Sequence, residues 1–369
     1  MAYTTIDDPS AHFQVFTYTG NGSHPRNLTN DGNSDLKPDL IWTKNLTDDG
    51  TNHVLANSTM GFDAPNSPSA GGQLATDSSG GVNTPNATYG YVSAALTDGF
   101  TAAAGGTNGD TCNANAKEFV AWQWKANGGT TSSNTDGNIT ATVQANPSAG
   151  FSIVFYTGNG TQTGKTVGHG LGAVPKMIIS KDRDGTSNVP TWRCYHEAIG
   201  NTKYLQMPQN DAASTFNDWD DTTPTSSVYS VGGAGGYTPT NTNNTEYIAY
   251  VFAEVQGFSR IGTYPGNNNA NGPFVYCGFR PAWILIKKTS SAGDWRCWDF
   301  RRGVNGATNR IRLNATDNQD AGADHLEILS NGFKLRSTSS SSNSSGDFIF
   351  LAFAENPFVT STGIPTTAR

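Results

Sequence analysis

One strand and turn occurs three times in this chain, and that repetition limits what it can fold into more than any other feature. Phe151–Gly160 reads FSIVFYTGNG, Phe13–Gly22 reads FQVFTYTGNG, and a weaker copy, Phe258–Asn267, reads FSRIGTYPGN. Each alternates apolar residues at the period of a β-strand and then meets a Gly/Asn pair that tolerates the positive φ of a tight turn.

Two further landmarks follow each copy. A proline leads an apolar strand ending in lysine at Pro38–Lys44, Pro175–Lys181 and Pro281–Lys287. Each segment then closes on an acid, an aromatic and an apolar run, at Glu118–Ala126, Glu246–Glu254 and Asp347–Glu355. These closing runs are rich in aromatic and branched residues, as central strands buried on one or both faces are. Trp122, Tyr250 and Leu351 correspond across the copies, as do Trp124, Phe252 and Phe353; two residues apart on a strand, each pair faces the same way, and core packing explains the rings better than a ligand platform. Two copies also share a late turn, Thr97–Phe100 and Ser330–Phe333, and two share Trp-Arg-Cys, at Trp192–Cys194 and Trp295–Cys297.

The landmarks divide the chain into a leader (1–12), a first β-sandwich (13–126), a flexible linker (127–150) carrying one short alternating strand at Ile139–Val143, a second sandwich (151–256), a third (257–358) and a tail (359–369). The fold expected is all-β, three tandem antiparallel β-sandwich modules of jelly-roll-like form. With almost no linker between the second and third, they form a stiff pair, and modules in series make a spacer. Composition agrees: charged residues are 14%, against about 25% usually, and the polarity comes from Ser, Thr and Asn among 42 glycines, which suits short strands and many turns.

The net charge of −7 argues against nucleic acid, whose phosphates need a basic stripe. There is no basic-then-apolar leader and no run of about 18 apolar residues, so the expectation is synthesis in a cytoplasm without a signal peptide and no membrane insertion. Four scattered cysteines, Cys112, Cys194, Cys277 and Cys297, read as buried thiols.

No catalytic constellation is visible. The histidines, His12, His24, His53, His169, His196 and His325, lack zinc-site spacing; His169 sits in a Gly-His-Gly-Leu-Gly turn that a strand follows, so no phosphate loop forms, and no G-x-S-x-G occurs. No metal, cofactor or catalytic residue is expected. Asp48-Asp49, Asp182/Asp184, Asp218–Asp221 and Asp317/Asp320 read as solvated turn residues. Of these, the Asp218–Asp221 turn around Trp219 is the best place for an incidental ion or a sugar. The candidates for glycan contact are Trp219, Asp218, Asp220, Tyr229 and Tyr237, with Tyr89 and Tyr91 in similar Gly- or Asn-rich segments.

Together, Tyr156–Gly160, Val167–Gly172 with Pro175 and Lys181, Ala121–Gly128, Tyr247–Glu254, Ser330–Phe333, Ala352–Glu355 and the opening Met1–Pro9 resemble a family of repeated β-sandwich proteins of marine bacteriophages, described as tail-fibre or other virion structural proteins. The resemblance covers almost the whole chain and brings no catalytic residue with it. It implies a virion component, with tail, capsid-surface and receptor-binding positions all open. The leading expectation is a non-enzymatic tail-fibre or appendage subunit, made in the host cytoplasm, that contacts other virion proteins, forms a homo-oligomer with a trimer favoured, and binds host surface polysaccharide. A capsid decoration protein is the alternative, and a free lectin or carbohydrate-active enzyme the third reading.

Overall fold

A computed structural model describes residues 2–62, 72–81, 88–106, 111–185, 187, 191–303, 309–320 and 326–366. The first repeat contributes β1 (Phe13–Thr19), β2 (Arg26–Leu28), β3 (Leu40–Asn45), β4 (Val54–Asn57), β5 (Tyr91–Ala95), β6 (Phe100–Ala103) and β7 (Glu118–Trp124). Two strands follow in the segment read as a linker, β8 (Ser132–Asn134) and β9 (Ala141–Asn146). The second repeat holds β10 (Phe151–Thr157), β11 (Lys165–Gly168), β12 (Met177–Asp182), β13 (Trp192–His196), β14 (Lys203–Tyr204), β15 (Ser214–Thr215), β16 (Val228–Val231) and β17 (Glu246–Phe252). The third holds β18 (Ser259–Gly266), β19 (Phe274–Tyr276), β20 (Phe279–Lys288), β21 (Arg296–Asp299), β22 (Ile311–Arg312), β23 (Leu326–Leu329), β24 (Gly332–Leu335) and β25 (Gly346–Pro357).

The fold is all-β, and every ladder between these strands is antiparallel. In each repeat the opening strand pairs with the closing strand, which pairs in turn with the proline-to-lysine strand: β1-β7-β3-β4, β10-β17-β12-β13 and β18-β25-β20-β21. A smaller sheet faces each: β2-β6-β5, β11-β16 and β19-β24-β23. Between the two layers lies a core private to each repeat, built on Ile41, Phe100 and Phe119 in unit 1, Val154, Ile178 and Tyr229 in unit 2, and Ile284, Phe333 and Phe350 in unit 3.

The units are not arranged in series. Strands β3 and β12 are buried along their whole length, so each large sheet needs cover on its second face as well. The large sheets supply it to one another, in a fourth core that takes residues from all three repeats, among them Phe13, Trp42, Trp122, Trp124, Phe151, Phe252, Trp283, Leu351 and Phe353. Trp283 of unit 3 has ring centroids of unit 1 at 6.5 Å (Phe13), 6.4 Å (Trp42), 6.1 Å (Trp122) and 5.6 Å (Trp124). Phe252 of unit 2 reaches Phe353 of unit 3 at 6.0 Å, and Phe151 reaches Trp124 at 6.5 Å. The centre closes to a void of about 10 Å³ with a wholly apolar lining that includes Trp42, Trp124, Tyr250, Phe252 and Trp283.

The segment expected as a flexible linker with one short strand carries two strands and joins unit 2. Its strands β9 and β8 extend the unit 2 sheet beyond β10, with Val143 opposite Val154, because the alternating residues Ala141 and Val143 bury one face in the unit 2 core. The leader also packs on its own chain: Ile6 enters the shared core, and the Asp8 carboxylate accepts from the hydroxyls of Ser10 (2.6 Å) and Ser34 (2.6 Å). In the tail, Ser361 donates its backbone N–H (2.6 Å) and its hydroxyl to Asp7. Among the described residues no helix is long and apolar enough to cross a membrane.

Candidate functional site

Three of the five residues expected to meet a glycan are inside the protein. Trp219 is 1% exposed and Tyr229 1% exposed, both in the private core of unit 2, where Trp219 sits edge-on to Tyr195 at 5.8 Å. Asp218 is fully buried, 3.4 Å from Arg193, and burial raises its carboxyl to about 6 against the pull of that guanidinium. The polar, Gly- and Asn-rich context suggested loops, but Tyr229 lies on β16 and Trp219, in the turn after Asp218, packs its indole into the unit 2 core. Asp220 is half-buried, with a positive φ of 49°, and its carboxylate accepts from the Gly164 N–H at 2.6 Å. Tyr237 is exposed at 53%, as is Tyr89 at 54%, whereas Tyr91 is buried. The candidate set therefore reduces to Tyr237 and Asp220.

Sequence reasoning gave the proline-to-lysine strands no task beyond folding, yet their lysines hold the units together. Lys44, Lys181 and Lys287 are each buried and each reach into a loop of another unit. Lys181 of unit 2 donates to the Ser79 carbonyl of unit 1 at 3.2 Å. Lys287 of unit 3 donates to the Asn210 and Asp211 carbonyls of unit 2 at 3.2 and 2.6 Å, and to its own Lys288 and Gly293 carbonyls at 2.9 and 2.8 Å. Lys44 of unit 1 donates to the Thr316 carbonyl of unit 3 at 2.9 Å and to its own Thr51 carbonyl. The contacts run from 2 to 1, 3 to 2 and 1 to 3, so they close a ring. Burial lowers all three ammonium groups to about 8, partly offset by nearby carboxylates such as Asp77, Asp182 and Asp211.

A second ring follows the same order from the strand beside each lysine. Trp192 Nε1 of unit 2 donates to the Ala75 carbonyl of unit 1 at 2.9 Å, and Trp295 Nε1 of unit 3 to the Gln206 carbonyl of unit 2 at 2.8 Å. At the matching place in unit 1 stands His53, whose Nε2 lies 3.0 Å from the Arg312 carbonyl of unit 3 while its Nδ1 accepts from Trp42 Nε1 at 3.0 Å. Full burial beside Lys44 drives His53 far below its ordinary value, so it is neutral. Side chains add to the ring: Trp122 Nε1 donates to Asp299 (2.9 Å), which also accepts from Arg302 (2.7 Å), and Asn57 donates to Tyr250 (3.1 Å).

Units 1 and 3 meet without a covalent link at their junction, and two polar grooves follow this seam, of about 590 and 270 Å³. Arg301 spans it to Asp31 at 2.6 Å. No group of three or more His, Cys, Asp or Glu side chains suited to a metal occurs among the described residues, and His325 lies outside them. The four cysteines are buried thiols, as expected, and burial pushes those of Cys194, Cys277 and Cys297 well up.

Two surface aromatics escaped the sequence reading. Phe274 (45% exposed) and Tyr276 (53% exposed) lie on β19, at the edge of the small sheet of unit 3. Their i, i+2 spacing around the buried Val275 was the available signal.

A profile of a family described as Domain of unknown function (DUF7483) matches residues 8–357. No curated protein and no solved structure matches the chain.

Proposed function

We propose that this chain, which belongs to the DUF7483 family, is a non-enzymatic structural and adhesion protein of a bacteriophage particle, a subunit of a tail fibre or appendage. The observation that carries the reading is the ring: three sandwiches locked by one aromatic core and by buried cation-to-carbonyl contacts, which leaves the outer sheets and loops free to differ. Such a body bears load and presents surfaces. The sequence resemblance to phage virion proteins supplies the setting, and the low charge density suits a protein designed for durable contact with other virion proteins and with host polysaccharide. A chain of sandwiches would have served as a shaft. A closed ring suits the knob of an appendage, and several copies, three by preference, would gather around the fibre axis.

The compact body also favours one second reading, a decoration protein seated on the capsid. Mass spectrometry of gradient-purified particles is expected to find the chain in virions, and gold labelling is expected to place it on the tail. Label on the head would select the decoration reading, and absence of the chain from purified particles would overturn both.

A further inference from the structure

Strands β2, β11 and β19 occupy the same place in the three small sheets, each opposite a buried ring: Leu28 faces Phe100, Val167 faces Tyr229, and Val275 faces Phe333. The residues on either side of that apolar position point outward. In unit 1 they are Asn27 and Thr29, both exposed. In unit 2 they are Thr166 and Gly168, and Gly168 lies under Asn134 of the added strand β8, so closely that a Cβ there would sit 1.7 Å from the Asn134 oxygen. Unit 3 alone places rings there, Phe274 and Tyr276.

Cross-strand pairs share a face, so the register completes the patch. Phe274 is opposite Lys334, which is opposite Glu327; Tyr276 is opposite Gly332, which is opposite Leu329. Glu327 is held by Arg336 at 2.8 Å, while Lys334 forms no ion pair among the described residues. The far end is built as well. Tyr3 donates to the Gly278 carbonyl at 2.6 Å and its hydroxyl lies 3.4 Å from that of Tyr276. Gly278, at φ +81°, makes room for both phenols, because a Cβ there would come within 2.6 Å of the Tyr3 oxygen and 3.4 Å of the Tyr276 oxygen.

We infer that the outer face of the β19-β24-β23 sheet is a binding site for an anionic saccharide, with Phe274 and Tyr276 stacking on sugar rings and Lys334 meeting the carboxylate or sulfate. This deepens the adhesion reading above and rests on it. Size favours a saccharide over a protein: the two rings expose roughly 200 Å² between them, far below the ~800 Å² per partner of a stable protein interface. Amphipathic rings set among hydrogen-bonding groups match a ligand whose C–H faces are apolar and whose rim is polar. Charge decides the sign, since Lys334 and Arg336 outnumber Glu327 on a chain that is acidic overall.

The test measures binding of the full chain to immobilised alginate (a polyuronate), a sulfated galactan and neutral dextran. Wild-type protein is expected to hold the two acidic polymers and not dextran. Phe274→Ala and Tyr276→Ala should each weaken that binding about tenfold with an unchanged melting temperature. Lys334→Gln should weaken it and reduce its salt dependence, while Asn27→Ala, at the matching place in unit 1, should change nothing. Acidic-polymer binding that survives both ring substitutions overturns the site and leaves the adhesion reading standing. No binding to any polymer overturns the site and the adhesion reading together, while the particle assay above still decides virion membership. Loss of self-association in the ring variants without saccharide binding would instead make β19 an interface between copies, and the proposal would fall.

Discussion

Trp283→Ala is expected to destabilise the whole chain, not one sandwich, by about 3–5 kcal/mol, the usual cost of removing a large buried aromatic. Its indole is 1% exposed and touches aromatic rings of unit 1 on several sides, with Trp124 nearly perpendicular to it at 5.6 Å and Trp122 at 6.1 Å. Urea unfolding followed by near-ultraviolet circular dichroism should show a single transition at lower urea. A double-mutant cycle separates the shared core from the private ones. Trp283→Ala and Trp122→Ala should deviate from additivity by about 0.5–3 kcal/mol because the two rings pack together. Phe333→Ala and Phe100→Ala, in the private cores of units 3 and 1, should add. Additive behaviour of the tryptophan pair would remove the shared core from the account.

Lys287→Met is expected to cost about 3 kcal/mol, although it conserves length and removes a buried charge. Four backbone carbonyls lose their donor, two of them in unit 2, and an unsatisfied buried acceptor costs about 1–3 kcal/mol before water can reach it. The same lysines shape the pH dependence. Lys44, Lys181 and Lys287 hold their protons only up to about 8 when folded, against an ordinary value of 10.5. Between these values the unfolded chain binds more protons, so the stability the lysines contribute grows as pH rises through 8. The buried thiols act oppositely: Cys194, Cys277 and Cys297 ionise near 9.0 only in the unfolded chain, which favours unfolding above that pH. The urea midpoint should therefore rise from pH 7 to about pH 9 and level off above it, where the three lysines and the three thiols oppose each other, and Lys287→Met should flatten the rise. A midpoint that declines steadily from pH 7 would contradict the buried lysine ring.

The sandwiches were legible in the sequence because their landmarks are local. Alternation in Phe151–Thr157 and the apolar run Met177–Lys181 declare strands, and the shared face of Trp122 and Trp124 follows from a period of two. How the units pack was not read, although the signal was present. Strands such as Pro281–Lys287 are apolar on both faces, and a two-layer sandwich covers only one; a series of such modules would leave tryptophans in water. Nothing in the neighbours of the lysine ending each of these strands announces carbonyls from a loop more than 70 residues away in sequence, as between Lys287 and Asp211. Trp219 and Tyr229 failed as surface candidates for the complementary reason: polar neighbours in sequence do not exclude an aromatic from the core. Phe274 and Tyr276 required comparison of three equivalent strands, and only the register supplied by the fold makes them equivalent.

The three units close a ring, and the distance across the seam between units 1 and 3 reports that closure. Spin labels at Asp31→Cys and Arg301→Cys replace an ion pair with little effect on stability, and the native cysteines are buried from the reagent. In full chains diluted with unlabelled protein, pulsed dipolar spectroscopy should give one narrow distribution at the short end of its range. A separation of roughly 30 Å or more, the width of an intervening 100-residue sandwich, would show the units in a row and contradict the ring.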